Sequence, residues 1–366
     1  MRLKLRQAPI YIYNNTLRTG LITLALTAII LSSCEKNTQD PPVTINNLKG
    51  IFVVCEGSYG HANGDISFYD SKTRQVTKNL YYTVNGVEPG DVVQAFEIAD
   101  TLGFILVNNS QKLTVVNMKT FKVVRTIYGF SYPRSIVRAD QNTLYISNGN
   151  GISGNYIYSI SLHTLSKSDS LPVPTGPEKL ICLNSKVYAA IPGGWNNDGR
   201  SVIEIDPASF SITNTFDVAS VPVDIVADKN NNIWAYCKGV ADYSNYPEVT
   251  YSGAGISKIE LSSKTVTTIP ITNMSSPGIN NLAVSADGSV IYFLNDALYS
   301  MPVNSTSLPA SKLVDQQFYG VDVDPQTGDI VCLDAVNSKA VVFNTSGVKQ
   351  LDFETATFPS SALFSY

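Results

Sequence analysis

From residue 48 onward the chain repeats itself at intervals of roughly 35–50 residues, the period of a propeller blade or a solenoid unit. Each repeat reads as a short apolar strand, a polar turn, a second strand, a variable loop, a third strand, another turn and a fourth strand. The second strands are clearest: 51–55, 104–107, 144–147, 187–190, 233–237, 291–294 and 330–333. The third strands follow at 66–69, 113–116, 157–160, 202–205, 256–259, 297–300 and 340–343. β-Branched and aromatic residues fill them, and Gly, Asn, Asp and Pro punctuate between. No stretch after residue 45 carries a helical period.

First strands follow a proline or glycine, as at 133–137, 177–181, 222–226 and 320–323. The first repeat begins at its second strand, and the chain ends in a lone first strand, 359–364. A solenoid needs no such exchange. In a ring the last strand completes the first blade and removes the exposed sheet edges. The expected fold is therefore all-β, a seven-bladed β-propeller of four-stranded antiparallel blades over residues 48–366.

In such blades the second-to-third connections and the links between blades emerge on one face. The other turns, such as 139–142, 206–209 and 286–288, are short Asp/Asn/Gly/Pro turns. The first face carries the long loops 56–65, 81–90, 128–134, 148–155, 192–200 and 238–255. Long loops on a rigid scaffold carry function. These bring Tyr59, Tyr81, Tyr82, Tyr128, Tyr132, Trp195, Tyr243, Tyr246, Tyr251 and Tyr319 to one side, among Asn and Gln such as Asn196 and Asn197. Large rings with few rotamers beside amides suit a specific binding surface. The openings of the first strands place Gln94, Arg134, Glu178, Asn280, Tyr319 and Ser360 around the axis, a mixed polar rim suited to a neutral, amide-rich ligand. The candidate ligand-binding residues are Tyr59, Gln94, Tyr132, Arg134, Glu178, Trp195, Asn196, Asn197, Tyr243, Tyr246, Tyr251 and Tyr319. Truncating Trp195 or Tyr246 is expected to weaken binding.

The N-terminus predicts export. Arg2, Lys4, Arg6 and Arg18 flank an apolar run, Leu21 to Leu31, of signal-peptide length and too short to span a bilayer. It ends in Leu31-Ser32-Ser33-Cys34, a lipoprotein box, which predicts a signal peptide over 1–33, lipidation of Cys34 and a polar tether over 34–47. The later cysteines, Cys55, Cys182, Cys237 and Cys332, have no metal-ligand spacing and read as small buried hydrophobes.

Catalytic chemistry is sparse. The chain has 2 histidines, His61 and His163, on opposite faces, so they form no metal site. The loop carboxylates Glu56, Asp65, Glu88, Asp91, Asp198, Asp242, Glu248 and Asp296 read as turn caps more readily than as acid–base pairs. Asp324–Asp329 lacks the alternating ligands of a calcium loop. A net charge of −4 offers no basic footprint for nucleic acid. The expectation is a binding protein without a cofactor, not an enzyme.

The lipoprotein box, the seven repeats, the closing strand and the segments 50–60 (GIFVVCEGSYG), 202–207 (VIEIDP) and 221–228 (VPVDIVAD) together resemble the YncE-like propeller lipoproteins of Bacteroidetes. Within that group the chain is similar to the BtuG-type surface cobalamin-binding lipoproteins. The resemblance implies an outer-membrane lipoprotein displayed at the cell surface. It implies capture of a corrinoid, vitamin B12, and hand-over to a TonB-dependent transporter. Two other expectations stand beside it: a propeller that docks on a protein partner, and a lyase-like or lactonase-like propeller enzyme.

Overall fold

The structure, a computed structural model, describes residues 48–152, 154–275 and 281–366. The signal peptide, Cys34, the tether and Asn280 lie outside them. No helix among the described residues is long and apolar enough to cross a membrane.

The chain forms a seven-bladed β-propeller. Blade 1 combines Gly50–Cys55, Asp65–Asp70 and Val76–Thr77 with the C-terminal strand Pro359–Ser365, which is innermost. That strand runs antiparallel to Gly50–Cys55, with Phe52 opposite Leu363 and Val53 opposite Ala362. Blades 2 to 5 and blade 7 are four-stranded meanders in chain order, their innermost strands starting at Val93, Pro133, Leu180, Pro222 and Gly320. Blade 6 differs. Its three strands are Leu282–Val284, Val290–Leu294 and Leu298–Pro302, and the outer position holds only a single bridge between Leu298 and Val314. The segment between, Val303-Asn-Ser-Thr-Ser-Leu-Pro-Ala-Ser311, is polar and carries a proline, which cannot donate to a ladder.

Second strands are largely apolar along their length because each blade packs on both faces. Gly50–Cys55 and Asn232–Cys237 are buried throughout. Seven hydrophobic clusters result, one between each pair of neighbouring blades. Phe52 packs in the first, its ring tilted against Phe68 at 4.7 Å and edge-on to Phe96 at 5.3 Å. Outer strands face solvent and read polar, as Ser166–Pro172 does.

Polar clamps tie the inner strands together. Asp224 is buried, and its Oδ2 accepts the N–H groups of Asn281 (2.7 Å) and Leu282 (2.8 Å) in the next blade. At the matching place in blade 3 Ser135 Oγ accepts Leu180 N–H (3.1 Å), and further along its strand in blade 7 Asp322 Oδ2 accepts Ala362 N–H (2.7 Å). The Asp322 bond joins blade 7 to the closing strand.

Three expectations are corrected. The link after blade 1 contains a short helix, α1 (Leu80–Asn85). Asp65 organises it: Oδ1 accepts Tyr81 N–H (2.8 Å) and Oδ2 accepts Tyr82 N–H (3.0 Å), so a carboxylate meets the free donors of the first turn. Six residues are too few to show a period in sequence. Tyr81 consequently turns into the core between blades 1 and 2 rather than onto the loop face. Cys182 is exposed, because its short strand Leu180–Leu183 ends in the turn at Asn184-Ser185; Cys55, Cys237 and Cys332 are buried as expected.

Candidate functional site: the loop-face cavity and channel mouth

The inner strands open with a recurring irregularity. The ladder skips one residue between Val93 and Ala95, Pro133 and Ser135, and Pro222 and Asp224, and the pairing of the closing strand shifts at the same place, between Pro359 and Ser361. The residues passed over are Gln94, Arg134, Val223 and Ser360. A bulge leaves its extra residue out of the ladder and re-aims it, which is why these positions ring the axis. In three blades the bulge follows a non-glycine residue in the left-handed region: Val92 (φ 59°), Val221 (φ 61°) and Phe358 (φ 63°). Each such backbone costs about 1–3 kcal/mol. Its recurrence marks it as part of the blade design.

A second ring is set by the residue that follows each second strand. The N–H groups of Glu56, Asn108, Gly149 and Lys238 donate to the carbonyls of Phe358 (2.9 Å), Val92 (2.8 Å), Tyr132 (3.0 Å) and Val221 (3.1 Å). Glu56 and Lys238 are thus equivalent positions of different blades, fixed by the same bond. Neither equivalence is visible as a motif, since the side chains differ in every repeat.

On this face blades 3, 4 and 5 enclose a cavity of about 420 Å³. Of the residues expected at the site, Tyr132, Arg134, Glu178, Trp195, Asn197, Tyr243 and Tyr251 line it. Gln94 stands behind them, its Oε1 accepting Arg134 Nη1–H at 2.6 Å. Tyr319 belongs to the channel mouth, where burial, with the Glu56 and Glu178 carboxylates nearby, pushes its phenol above the usual tyrosine range. Tyr59, Asn196 and Tyr246 are exposed and outside the cavity wall. Sequence reading missed Asn150, Val223 and Lys238, which also line it.

The cavity floor is the Arg134–Glu178 pair. Arg134 Nε donates to Glu178 Oε1 (2.8 Å) and Oε2 (3.0 Å), and Nη2 lies 2.7 Å from Oε1. Burial opposes the Arg134 charge, but the Glu178 carboxylate and its hydrogen bonds push it above its ordinary value. The pair is thereby neutralised. Lys238 forms no salt bridge among the described residues, and burial pulls its ammonium below the usual lysine range.

The walls are aromatic and held from behind. Buried Asn148 accepts the N–H groups of Ser131 (2.9 Å) and Tyr132 (3.0 Å), fixing the Tyr132 turn. Tyr132 lies 6.4 Å from Trp195 and 5.3 Å beneath the Arg134 guanidinium. Trp195 N–H donates to Asn150 O (2.9 Å), and a Cβ on Gly194 (φ +59°) would meet that same oxygen at 2.3 Å, so only glycine permits the approach. Opposite stands a hairpin, Val240–Asp242 with Thr250–Ser252, in which Ala241 faces Tyr251 and both line the cavity. Among the described residues no three His, Cys, Asp or Glu side chains gather as a metal site.

Fold and cavity together define the class: a seven-bladed propeller carrying a ligand-sized, aromatic-walled site on its loop face. The chain belongs to the family described as Domain of unknown function (DUF5074), which matches residues 49–365. No curated protein matches it by sequence. Its fold is shared with a quinonprotein alcohol dehydrogenase-like protein from Bacteroides thetaiotaomicron (17% identity, TM-score 0.61, covering 87% of this chain and 78% of that one). A hydrazine synthase chain from Kuenenia stuttgartiensis is similar (17%, TM-score 0.62, 84% and 98%). So is a proposed 6-phosphogluconolactonase from Bacteroides fragilis (12%, TM-score 0.61, 89% and 100%). At such identities the likeness concerns the fold alone.

Proposed function

We propose that this protein is a ligand-binding lipoprotein of the outer membrane, anchored through Cys34 and displayed at the cell surface. It captures a corrinoid such as vitamin B12 on the loop face and passes it to a TonB-dependent transporter. The observation that carries this reading is the composition of the cavity: Tyr132, Trp195, Tyr243 and Tyr251 around a neutralised Arg134–Glu178 floor, with Asn150 and Asn197 at the wall. A broad, amide-fringed, largely uncharged ligand needs flat apolar area and scattered hydrogen-bonding groups rather than a strong charge. The resemblance of the chain to YncE-like propeller lipoproteins, and within them to the BtuG-type, supports the choice of ligand. Binding is favoured over catalysis because Arg134 and Glu178 are occupied with each other.

Calorimetric titration with cyanocobalamin, with cobinamide alongside, tests the proposal. One-to-one heat and co-elution of colour are expected. Absence of both removes the corrinoid. A second reading, docking of a protein partner, is favoured by Tyr59 and Tyr246, which are 75% and 78% exposed and stand outside the cavity. Co-purification of a membrane protein by a colourless chain would decide for it.

A further inference from the structure

Glu56 occupies the position in blade 1 that Lys238 occupies in blade 5, each anchored by its N–H to the carbonyl before an inner strand. Its Oε1 is buried and has no hydrogen-bond partner among the described residues. Leaving a buried acceptor unpaired is costly, and more so when it is ionised, so this oxygen takes its partner from outside the described residues, a water or a ligand group. Four groups act on this carboxyl: Arg134 and Glu178, which also line the cavity, and the hydroxyls of Ser360 and Tyr319. Lys238 lines the cavity beside that pair, within the influence of both its charges. The channel mouth and the cavity therefore share Arg134 and Glu178 as a common wall.

We infer that the channel mouth is a polar subsite in which Glu56 Oε1 accepts a hydrogen bond from an uncharged N–H donor of the ligand, a primary carboxamide. The inference rests on the cavity being a ligand site and adds to it which group reaches beyond the rings. An ammonium would meet Lys238, the cation here that forms no salt bridge among the described residues. A carboxylate would meet Glu56 and Glu178. An apolar group would leave Oε1 unpaired. A carboxamide offers N–H to Glu56 and a carbonyl to the cationic side of the same mouth.

The arrangement has a pH signature. Burial raises the Glu56 carboxyl to about 7, against the pull of Arg134 and the two hydroxyls, with Glu178 adding to the rise. A bound N–H donor favours the ionised carboxylate, so binding lowers the Glu56 midpoint. By linkage, affinity falls as the pH drops through that midpoint. About tenfold weaker binding at pH 5.5 than at pH 8 is expected.

The test is carbon-13 NMR of the Glu56 carboxyl in the full chain, titrated over pH alone, with propionamide and with cyanocobalamin. Calorimetry of Glu56→Gln at pH 5.5 and 8 accompanies it. Both probes should lower the Glu56 midpoint, and Glu56→Gln should bind cyanocobalamin with no pH dependence over that interval. If propionamide lowers the midpoint while cyanocobalamin does not bind, the subsite stands and the corrinoid reading falls. If cyanocobalamin binds but leaves the midpoint unmoved, and Glu56→Gln keeps the wild-type profile, the subsite is overturned and capture stands. No response to either probe overturns both. The NMR arm needs no substitution, so a misfolded variant cannot shield the inference.

Discussion

Arg134 of blade 3 and Glu178 of blade 4 meet across the floor of the cavity, one guanidinium nitrogen bonding both carboxylate oxygens at 2.8 and 3.0 Å. The two side chains are 15% and 23% exposed, so each relies on the other for most of its solvation. Removing one partner strands the other charge. Glu178→Gln is expected to lower stability by about 2–3 kcal/mol in urea unfolding. The double change Arg134→Met with Glu178→Met should cost less than the sum of the single changes, because no charge is stranded. Additive losses would mean that the pair is solvated independently.

Binding should separate two exposed aromatic residues that look alike in sequence. Trp195 lines the cavity and Tyr246 does not. Trp195→Ala should weaken cyanocobalamin binding by about 1–3 kcal/mol, and Tyr246→Ala by less than about 0.5 kcal/mol. Equal losses in calorimetry would move the site outward onto the hairpin tip.

Glu97, on the innermost strand of blade 2, is raised to about 7 by burial, which the charges of Lys179 and Arg138 only partly offset. An acid whose folded value lies above its ordinary 4.5 holds its proton more tightly when folded. Its contribution to stability is therefore full below about 4.5 and is lost as the pH rises through about 7. Glu97→Gln should unfold at a higher temperature than wild type at pH 8, by an amount worth about 3 kcal/mol, and at nearly the same temperature at pH 4.5. Melting curves at the two values decide it. A gain that persists at low pH would point to packing instead.

Thiol chemistry should distinguish the cysteines. Burial pushes Cys55 and Cys237 up to about 12, and Cys332 well above its ordinary value. Cys182 is exposed, though burial of its surroundings still raises it. With Cys34 replaced by Ser, a thiol reagent should label Cys182 alone and slowly in the folded protein, and all four remaining cysteines in urea. Rapid labelling of a second thiol would place another cysteine at the surface.

Much of this architecture was legible because blades repeat. A strand buried on both faces needs an unbroken apolar run, so segments such as 104–107 and 187–190 announce themselves. The cavity was legible in part: Tyr132, Trp195 and Tyr251 sit in long loops that sequence marks by their Gly and Asn. The rest depends on interactions distant in the chain. Helix α1 exists because a carboxylate at Asp65 reaches its first turn, and Tyr81 is buried as a result. Lys238 and Glu56 become equivalent only through bonds to residues before the inner strands. The missing fourth strand of blade 6 reflects a polar, proline-bearing stretch where the period alone led one to expect a strand.

Ring closure gives a sharper measurement. Ala362 donates its N–H to Asp322 and lies opposite Val53. Ala362→Pro removes that donor from the innermost strand and should cost about 3 kcal/mol or more. Deleting 359–366 should expose the edge of Gly50–Cys55 and yield dimers or aggregates on size exclusion. A monomer of unchanged stability would mean that closure is not what holds the ring.

The joining of Pro359–Ser365 to Gly50–Cys55 also fixes an order of events during synthesis. While the polypeptide is still being made or threaded through a narrow passage, the first blade has its outer three strands and no inner one. The circle is thus an assembly with a waiting place, filled by the last segment to arrive. Until then a chaperone can hold the chain open or a strand from another molecule can take the place, and afterwards that inner edge is already paired.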